Sequence, residues 1–486
     1  MESAIRTLAD FTVEASAGDL PSEVADYTKV VLCDTIISGL CTGGLARGDM
    51  ARDLARETGG GAESLVLGSS DRVGLLGAAY ANADLMNLLD ADETFFNGAH
   101  FAAMSFAPAL AEAERGHNNG ADLVKAAAIS FDVNARLNLG TSLMEYDGDS
   151  FRFSQLSTHG YAALGAAIAI GHLRGHSADQ RAHALGLATW LAPTAKNGYM
   201  SRRRRFNSLK YAANGQIAHA GVTAALMAGR GYEGDLDGLD LQPGFLDAQG
   251  YRGGDRAAIT HDLGQKWWIT ETSVKPYPSC RYSHAAIDAV RALNAEQQLD
   301  LDDIVGIEIR LGPAAYSISQ FREPLREIPA DHVAPFAMQF NMPMLTALAL
   351  LDVPPGPVWH RPETVQDPRL QELASRVTVA EDPVLAAEWR ATIQNSDEKV
   401  RRTRGSISVT TRTGTRDFES DFAMGDPWAE ETRADWAFLD RKFASFGAEW
   451  FDAPRRAAVL DLFENLEQVD DVAAELVPLL LVEGER

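Results

Sequence analysis

The sequence predicts a mainly α protein: a large all-helical domain, a smaller α+β lid domain, and C-terminal helices that pack back on the first domain. Three observations predict it. Apolar residues recur at helical spacing through the first 271 residues. From residue 272 the texture turns to alternating, β-branched runs, as in half-buried antiparallel strands. After residue 424, amphipathic helical patterns return. The segments are therefore 1–271, 272–424 and 425–486, the middle one being an inserted lid.

In the first segment, "SEVADYTKVVLCDTIISGLCTG" is apolar at helical spacing and ends in glycine. "VGLLGAAYANADLMNLL" and "GADLVKAAAISFDVNARL" follow the same logic. "YAALGAAIAIGHLRG" and "GQIAHAGVTAALMAGRG" are crowded with Ala and Gly, so they read as buried central helices in close approach. In the middle segment "DDIVGIEIRLG", "SRVTVAE" and "GSISVTTRTGTRDFESDF" read as strands. "SHAAIDAVRALNAEQQ" and "NMPMLTALALLD" are helices among them. "EETRADWAFLDRKFASF" and "PRRAAVLDLFENLEQV" are the closing helices.

Composition narrows the function. The chain has 486 residues, 46% hydrophobic and 23% charged, ordinary for a globular protein. A net charge of −24 opposes nucleic acid and anionic membrane surfaces as partners. Cys33, Cys41 and Cys280 form no CxxC pair, so neither a disulfide framework nor a zinc ribbon is expected. The N-terminus lacks the apolar run of a signal peptide, and no stretch reaches the roughly 18–20 apolar residues of a membrane span. The expected location is the cytoplasm. There is no P-loop, no GxGxxG between strand and helix and no GxSxG elbow, so no nucleotide cofactor or serine hydrolase is expected. Only eight of the 44 basic residues are lysine, which makes a lysine near a site more informative than usual.

The stretch "LLDADETFFNGAHF", residues 88–101, gathers three carboxylates, a threonine and a histidine. If the preceding helix persists, Asp90 and Thr94 share a face, while Asp92 and Glu93 point elsewhere as bystanders. His100 stands where a new helix can begin, and a neutral histidine beside an aspartate can act as a general base near pH 7. A solvated loop is the plain alternative. "DADE" lacks the glycine and later glutamate of a calcium loop, so no metal is expected.

Two further stretches carry cations. "GYMSRRRRFNSLKYAANGQIAHAG", residues 198–221, holds Arg202 to Arg205 and Lys210. The arginines read as a solvated basic loop, or one or two of them, such as Arg205, meet substrate carboxylates. "SVKPYPSCRYSHAAIDAV", residues 273–290, packs Lys275, Cys280, Arg281 and His284 ahead of a helix for which Ser283 is the expected cap. Lys275 and Arg281 suit carboxylates. Cys280 is either a proton-transfer group or a buried small hydrophobe, and His284 either a ligand-binding or a structural histidine.

The order of "LCDTIISGL", "NADLMNLLDADETFFNGAH", "LGAAIAIGHLRG", "LKYAANGQIAHAGVTAALMAGRGYEG", "VKPYPSCRYSHAAIDA" and "FNMPMLTALALLD" resembles the MmgE/PrpD family over roughly residues 1–460. That family includes 2-methylcitrate dehydratase, cis-aconitate decarboxylase and iminodisuccinate epimerase. The resemblance implies a helical domain with an α+β lid, an active site in the cleft between them, a homodimer, no metal and no cofactor. It places the family's Asp, Thr and His on Asp90, Thr94 and His100, its pocket lysine on Lys210 and its lid lysine on Lys275. The sequence departs at Cys280, where decarboxylase-like members carry histidine. It departs also at Leu156, in place of a pocket histidine, with His159 three residues later, and at Met344, in place of a tyrosine.

The resemblance thus implies a lyase of the 2-methylcitrate dehydratase type acting on a carboxylate substrate. Lys210, Lys275 and Arg281 would neutralise carboxylates, with Arg205 and His284 as further substrate contacts. His100, oriented by Asp90, would be the acid–base group, with His159 or Cys280 as the second and Thr94 positioning substrate. The alternatives are an epimerase or isomerase, a decarboxylase, and a binding protein that keeps the fold without the chemistry.

Overall fold

Helix Ser22–Leu40 is buried on nearly every face, as expected of an apolar helix at the centre of a large helical domain. The computed structural model describes residues 3–96, 98–153, 159–194, 213–249, 254–297, 299–318, 334–395 and 399–482. The protein is mainly α with a smaller α+β part. Helix Ala162–Leu173 lies in the middle of the helical part and packs against helices Ala102–Gly116, Gly120–Leu139, Ala178–Leu191 and Asn214–Ala228. A Cβ on Gly221 would stand 2.4 Å from the Ala163 carbonyl oxygen and 2.5 Å from Ala166 Cβ. Only glycine permits that spacing, which is why the central helices are written in small residues.

Eight short strands accompany the helices among the described residues. β1 (Ser64–Leu65) and β2 (Arg72–Val73) form one small antiparallel pair. β3 (Met144–Asp147) and β4 (Ser150–Phe153) form a hairpin that the sequence reading did not include. The hairpin reaches the α+β part: Phe151 and Trp389 rings meet at 6.1 Å, and Arg390 bonds Asp149 at 2.7 Å. β5 (Ile304–Leu311), β6 (Val377–Glu381), β7 (Gly405–Thr411) and β8 (Gly414–Ser420) form one sheet in the order β6-β5-β7-β8.

The strands were expected to pair antiparallel. β5 with β7 and β7 with β8 do so, but β5 and β6 run parallel, with Ile307 opposite Val377. A parallel pair needs a long crossover, and the chain supplies one through helices Met342–Leu350 and Pro368–Ala374. Helix His284–Gln297 packs against β7 and β8.

Helices Trp436–Phe446 and Ala453–Glu464 lie against Ser22–Leu40. Lys29 on that central helix bonds the Glu464 carbonyl at 3.0 Å and the Glu467 carboxylate at 2.8 Å. Among the described residues no helix is long and apolar enough to cross a membrane.

Candidate active site

Helix Leu75–Leu88 does not continue to Thr94. Asp90 takes a left-handed backbone conformation (φ 56°), and its N–H closes a turn onto the Asn87 carbonyl at 3.1 Å. The expected shared helical face of Asp90 and Thr94 is therefore absent. Thr94 instead pairs through its backbone with Ser273, by hydrogen bonds of 2.9 and 3.0 Å. The stretch is no solvated loop: Asp90, Asp92, Glu93, Thr94 and His100 are all buried.

The His100 ring sits between two carboxylates. Its Nε2 lies 3.6 Å from Asp90 Oδ1, and its Nδ1 lies 3.8 Å from Asp92 Oδ2. Both separations exceed a direct hydrogen bond but place a charge within a few ångströms of each nitrogen. Lys275 Nζ donates to Asp90 Oδ1 at 2.6 Å and to the Asp90 carbonyl at 3.0 Å. Asn87 Nδ2 donates to both Asp92 oxygens, at 2.9 and 2.7 Å. Asn214 Nδ2 in turn donates to Asn87 Oδ1 at 2.8 Å, tying the start of helix Asn214–Ala228 to this centre.

Asp92 and Glu93 were expected to be bystanders, and the geometry corrects that. Asp92 flanks the imidazole. Glu93 Oε1 accepts from the backbone N–H groups of Phe101 and Ala102, each at 2.8 Å. It thereby caps helix Ala102–Gly116, immediately after His100, by giving an acceptor to two N–H groups at the helix start. Burial and the neighbouring Asp92 charge push the Glu93 carboxyl well above the usual carboxylate range, against the pull of those two N–H donors.

A buried ion pair lies behind the loop. Lys442 Nζ donates to Asp34 Oδ1 at 2.5 Å and to the carbonyl of Ala91, between Asp90 and Asp92, at 2.6 Å. Burial pushes the Asp34 carboxyl up to about 6; Lys442 pulls it down and Asp92 pushes it up. Burial lowers the Lys442 ammonium, while Asp34 and Asp92 raise it. Neither residue was a sequence candidate. The available signals were a lone aspartate inside the apolar run "VVLCDTIISGL" and a lysine in an arginine-rich chain.

The remaining sequence candidates separate. Cys280 is half-buried, and its backbone N–H bonds the Gln339 carbonyl at 3.0 Å. Gln339 Nε2 reaches the Leu88 carbonyl at 2.8 Å, joining this segment to the end of the helix before Asp90. Arg281 is buried, bonds Asp426 Oδ1 through Nε at 3.1 Å, and lies 4.7 Å over the Trp428 ring. Its charge is met by a protein carboxylate. His284 Nε2 faces the Ser279 hydroxyl and carbonyl, each at 3.1 Å, and burial followed by the Lys275 charge holds its ring well below the usual histidine range. Ser283 does not cap by accepting an N–H; its hydroxyl donates back to the Cys280 carbonyl at 2.6 Å.

His159 is buried, with φ 55°, and its Nδ1 lies 3.3 Å from the Tyr161 hydroxyl. Burial alone takes it down to about 4. The Tyr161 ring meets Phe101, the residue after His100, at 6.3 Å. Lys210, Arg205 and Leu156 lie outside the described residues. Met344 is buried on helix Met342–Leu350.

Asp90, Asp92 and His100 each offer a ligand atom within 4.8 Å of the others, the spacing of a small metal site. The fit is poor. The cation held by Asp90 is the Lys275 ammonium, which takes both its carboxylate and its carbonyl. A second positive charge there would meet like-charge repulsion. An open cavity of about 1080 Å³ elsewhere is lined by Arg52, Arg56 and Arg361, but each of these pairs with a nearby carboxylate.

Fold and site together define a helical protein with an α+β part and a buried carboxylate–imidazole–ammonium centre. The MmgE/PrpD N-terminal domain matches residues 6–253 and the MmgE/PrpD C-terminal domain matches residues 277–468. The chain belongs to the MmgE/PrpD family, which includes dehydratases and related enzymes. Comparison with curated proteins gives no match.

Proposed function

We propose that the protein is a metal-independent lyase of the 2-methylcitrate dehydratase type, acting on a hydroxy-polycarboxylate. The observation that carries this reading is the His100 ring between Asp90 and Asp92, with Lys275 bound to Asp90. An imidazole flanked by carboxylates is suited to taking and returning a proton near neutral pH. In dehydration, a C–H bond alpha to a carboxylate and a C–O bond on the neighbouring carbon break. A C=C bond forms, and the proton and hydroxide leave as water.

His100 is the acid–base group on this reading, and His159 or Cys280 is the second. Lys275 and Lys210 supply positive charge to the carbanion beside the substrate carboxylate, an electrostatic contribution that is strongest where water is excluded. Thr94 positions the substrate; its hydroxyl is buried and has no hydrogen-bond partner among the described residues. Arg281 is a further carboxylate contact on this reading; its guanidinium pairs with Asp426 as the Lys275 ammonium pairs with Asp90.

The test is proton NMR in D2O with purified protein and a panel of 2-methylcitrate, citrate, cis-aconitate, malate and iminodisuccinate. New vinylic signals from a hydroxy acid support the dehydratase reading. Deuterium incorporation or inversion without loss of a group replaces it with an epimerase or isomerase, and loss of CO2 replaces it with a decarboxylase. Folded protein that leaves the whole panel unchanged overturns it.

A further inference from the structure

Glu93 follows Asp92 in the chain, and its side chain holds the residue that follows His100. Oε1 accepts from the N–H groups of Phe101 and Ala102, each at 2.8 Å. Two residues on, the Phe95 N–H donates to the carbonyl of Ala99, the residue before His100, at 2.9 Å. His100 therefore stands between two tied positions on the returning limb of the loop. The outgoing limb is itself anchored, since Thr94 exchanges backbone hydrogen bonds with Ser273. We infer that Glu93 is a positioning residue for His100: it acts as a hydrogen-bond acceptor, not as a charge, and keeps the imidazole against Asp92. What this means for turnover rests on the reading of His100 as the acid–base group.

The surroundings of Glu93 separate acceptor from charge. Its Oε2 is buried and has no hydrogen-bond partner among the described residues. The Lys275 ammonium, whose charge acts on Glu93, is bonded to Asp90 instead. An ionised Glu93 would hold an unpaired charge beside Asp92, whereas a neutral carboxyl leaves at most a hydroxyl unpaired, at far smaller cost. The acceptor is needed because the first N–H groups of helix Ala102–Gly116 have no partner within the helix. A cap alone would stabilise that helix and leave the imidazole where it is. The bracket does more, because its two ends are the chain neighbours of Asp92 and His100.

Asp92 Oδ2 lies 3.8 Å from His100 Nδ1, and Asn87 holds both Asp92 oxygens. The Asp92 charge favours a proton on the imidazole. Asp92→Asn therefore lowers the pH at which His100 titrates, by a step that grows as the two side chains come closer. That step measures how near His100 is held to Asp92. Asp90 on the other ring nitrogen, Lys275 bonded to it, and the Asp34–Lys442 pair behind the loop are common to every comparison and cancel.

The experiment is an NMR titration of the full chain carrying 13C at histidine Cε1, the His100 resonance being assigned by its loss in His100→Gln. The Asp92→Asn step is measured with Glu93 in place, in Glu93→Gln and in Glu93→Met. The expected step is about one pH unit in the first two and less than about half of that in Glu93→Met. Glu93→Met should also lose about 100-fold in kcat with KM little changed, as a displaced catalytic group does, and Glu93→Gln should restore it. A folded Glu93→Met with the full step overturns the positioning role. A Glu93→Gln with the reduced step overturns the acceptor role. No step with Glu93 in place overturns both. If Glu93→Met does not fold, Glu93→Ser, which leaves room for a water on the two N–H groups, takes its place with the same outcomes. The titration needs no substrate. Failure of the proposed reaction is read separately, from turnover of His100→Gln.

Discussion

Lys275 bonds both the side chain and the main-chain oxygen of Asp90, 185 residues earlier in the chain, at 2.6 and 3.0 Å. Both partners are almost wholly buried. Lys275→Met leaves the Asp90 carboxylate without its cation, and breaking a buried pair from one side costs about 3–5 kcal/mol. Denaturant unfolding should show that loss. Lys275→Met that unfolds like wild type would contradict the pair's role.

His100→Gln keeps a polar group of similar size between the two carboxylates. Turnover should fall by about 10²–10⁴-fold, as for loss of a general acid–base group, while stability changes by about 1 kcal/mol or less. Steady-state kinetics and a melting curve on the same preparation separate the two effects.

Arg281 and Asp426 form a buried pair that Ser273 also joins, donating to Asp426 at 2.6 Å. Arg281→Met should destabilise the fold by about 3 kcal/mol or more, and Arg281→Met with Asp426→Asn, which removes the lone charge but keeps an acceptor for Ser273, should recover much of that. A carboxylate-binding role for Arg281 predicts instead that the double variant folds well but loses substrate affinity. Melting curves with and without citrate distinguish the two.

His159 and His172 are both taken from the ordinary 6.5 down to about 4, chiefly by burial. Between those values the unfolded chain binds protons that the folded chain refuses. The stability these rings contribute is therefore present above pH 6.5 and lost as pH falls toward 4, on the order of 3 kcal/mol for each. His172→Gln, which keeps a partner for Ser16, should flatten the fall of melting temperature across that window.

Gly425 has φ 93°, and a Cβ there would stand 1.8 Å from the Val274 carbonyl oxygen. Val274 N–H bonds Gly425 O at 3.0 Å, immediately before Lys275. Gly425→Ala must displace Val274, and Lys275 follows it in the chain. Stability should fall by about 3 kcal/mol or more, with turnover lost together with it. Wild-type turnover in a folded Gly425→Ala variant would show that Lys275 tolerates displacement.

Much of the architecture was legible because period and composition are local properties. The small residues of "YAALGAAIAIGHLRG" pointed to a central helix, and Ala162–Leu173 is one. Alternation announced the strands around Ile307, Val379 and Val409. Alternation says which face is buried but not which neighbour a strand takes, so the parallel β5–β6 pair was not foreseen. The hairpin of β3 and β4 gave no clear local pattern, since its residues are held largely by contacts with Ala386, Trp389 and Arg390.

Local pattern along the chain was enough to read a mainly α protein with a smaller α+β part, and residue type and clustering singled out Asp90, His100 and Lys275 for chemistry. Packing in three dimensions set Asp92 against the same imidazole, Glu93 at the start of the following helix and Arg281 beside Asp426. It alone brought Asp34 and Lys442, 408 residues apart, to the back of the loop. The reason is physical. A buried charge is stable only beside its partner, and the partner is chosen by how helices pack, which no spacing along the chain records.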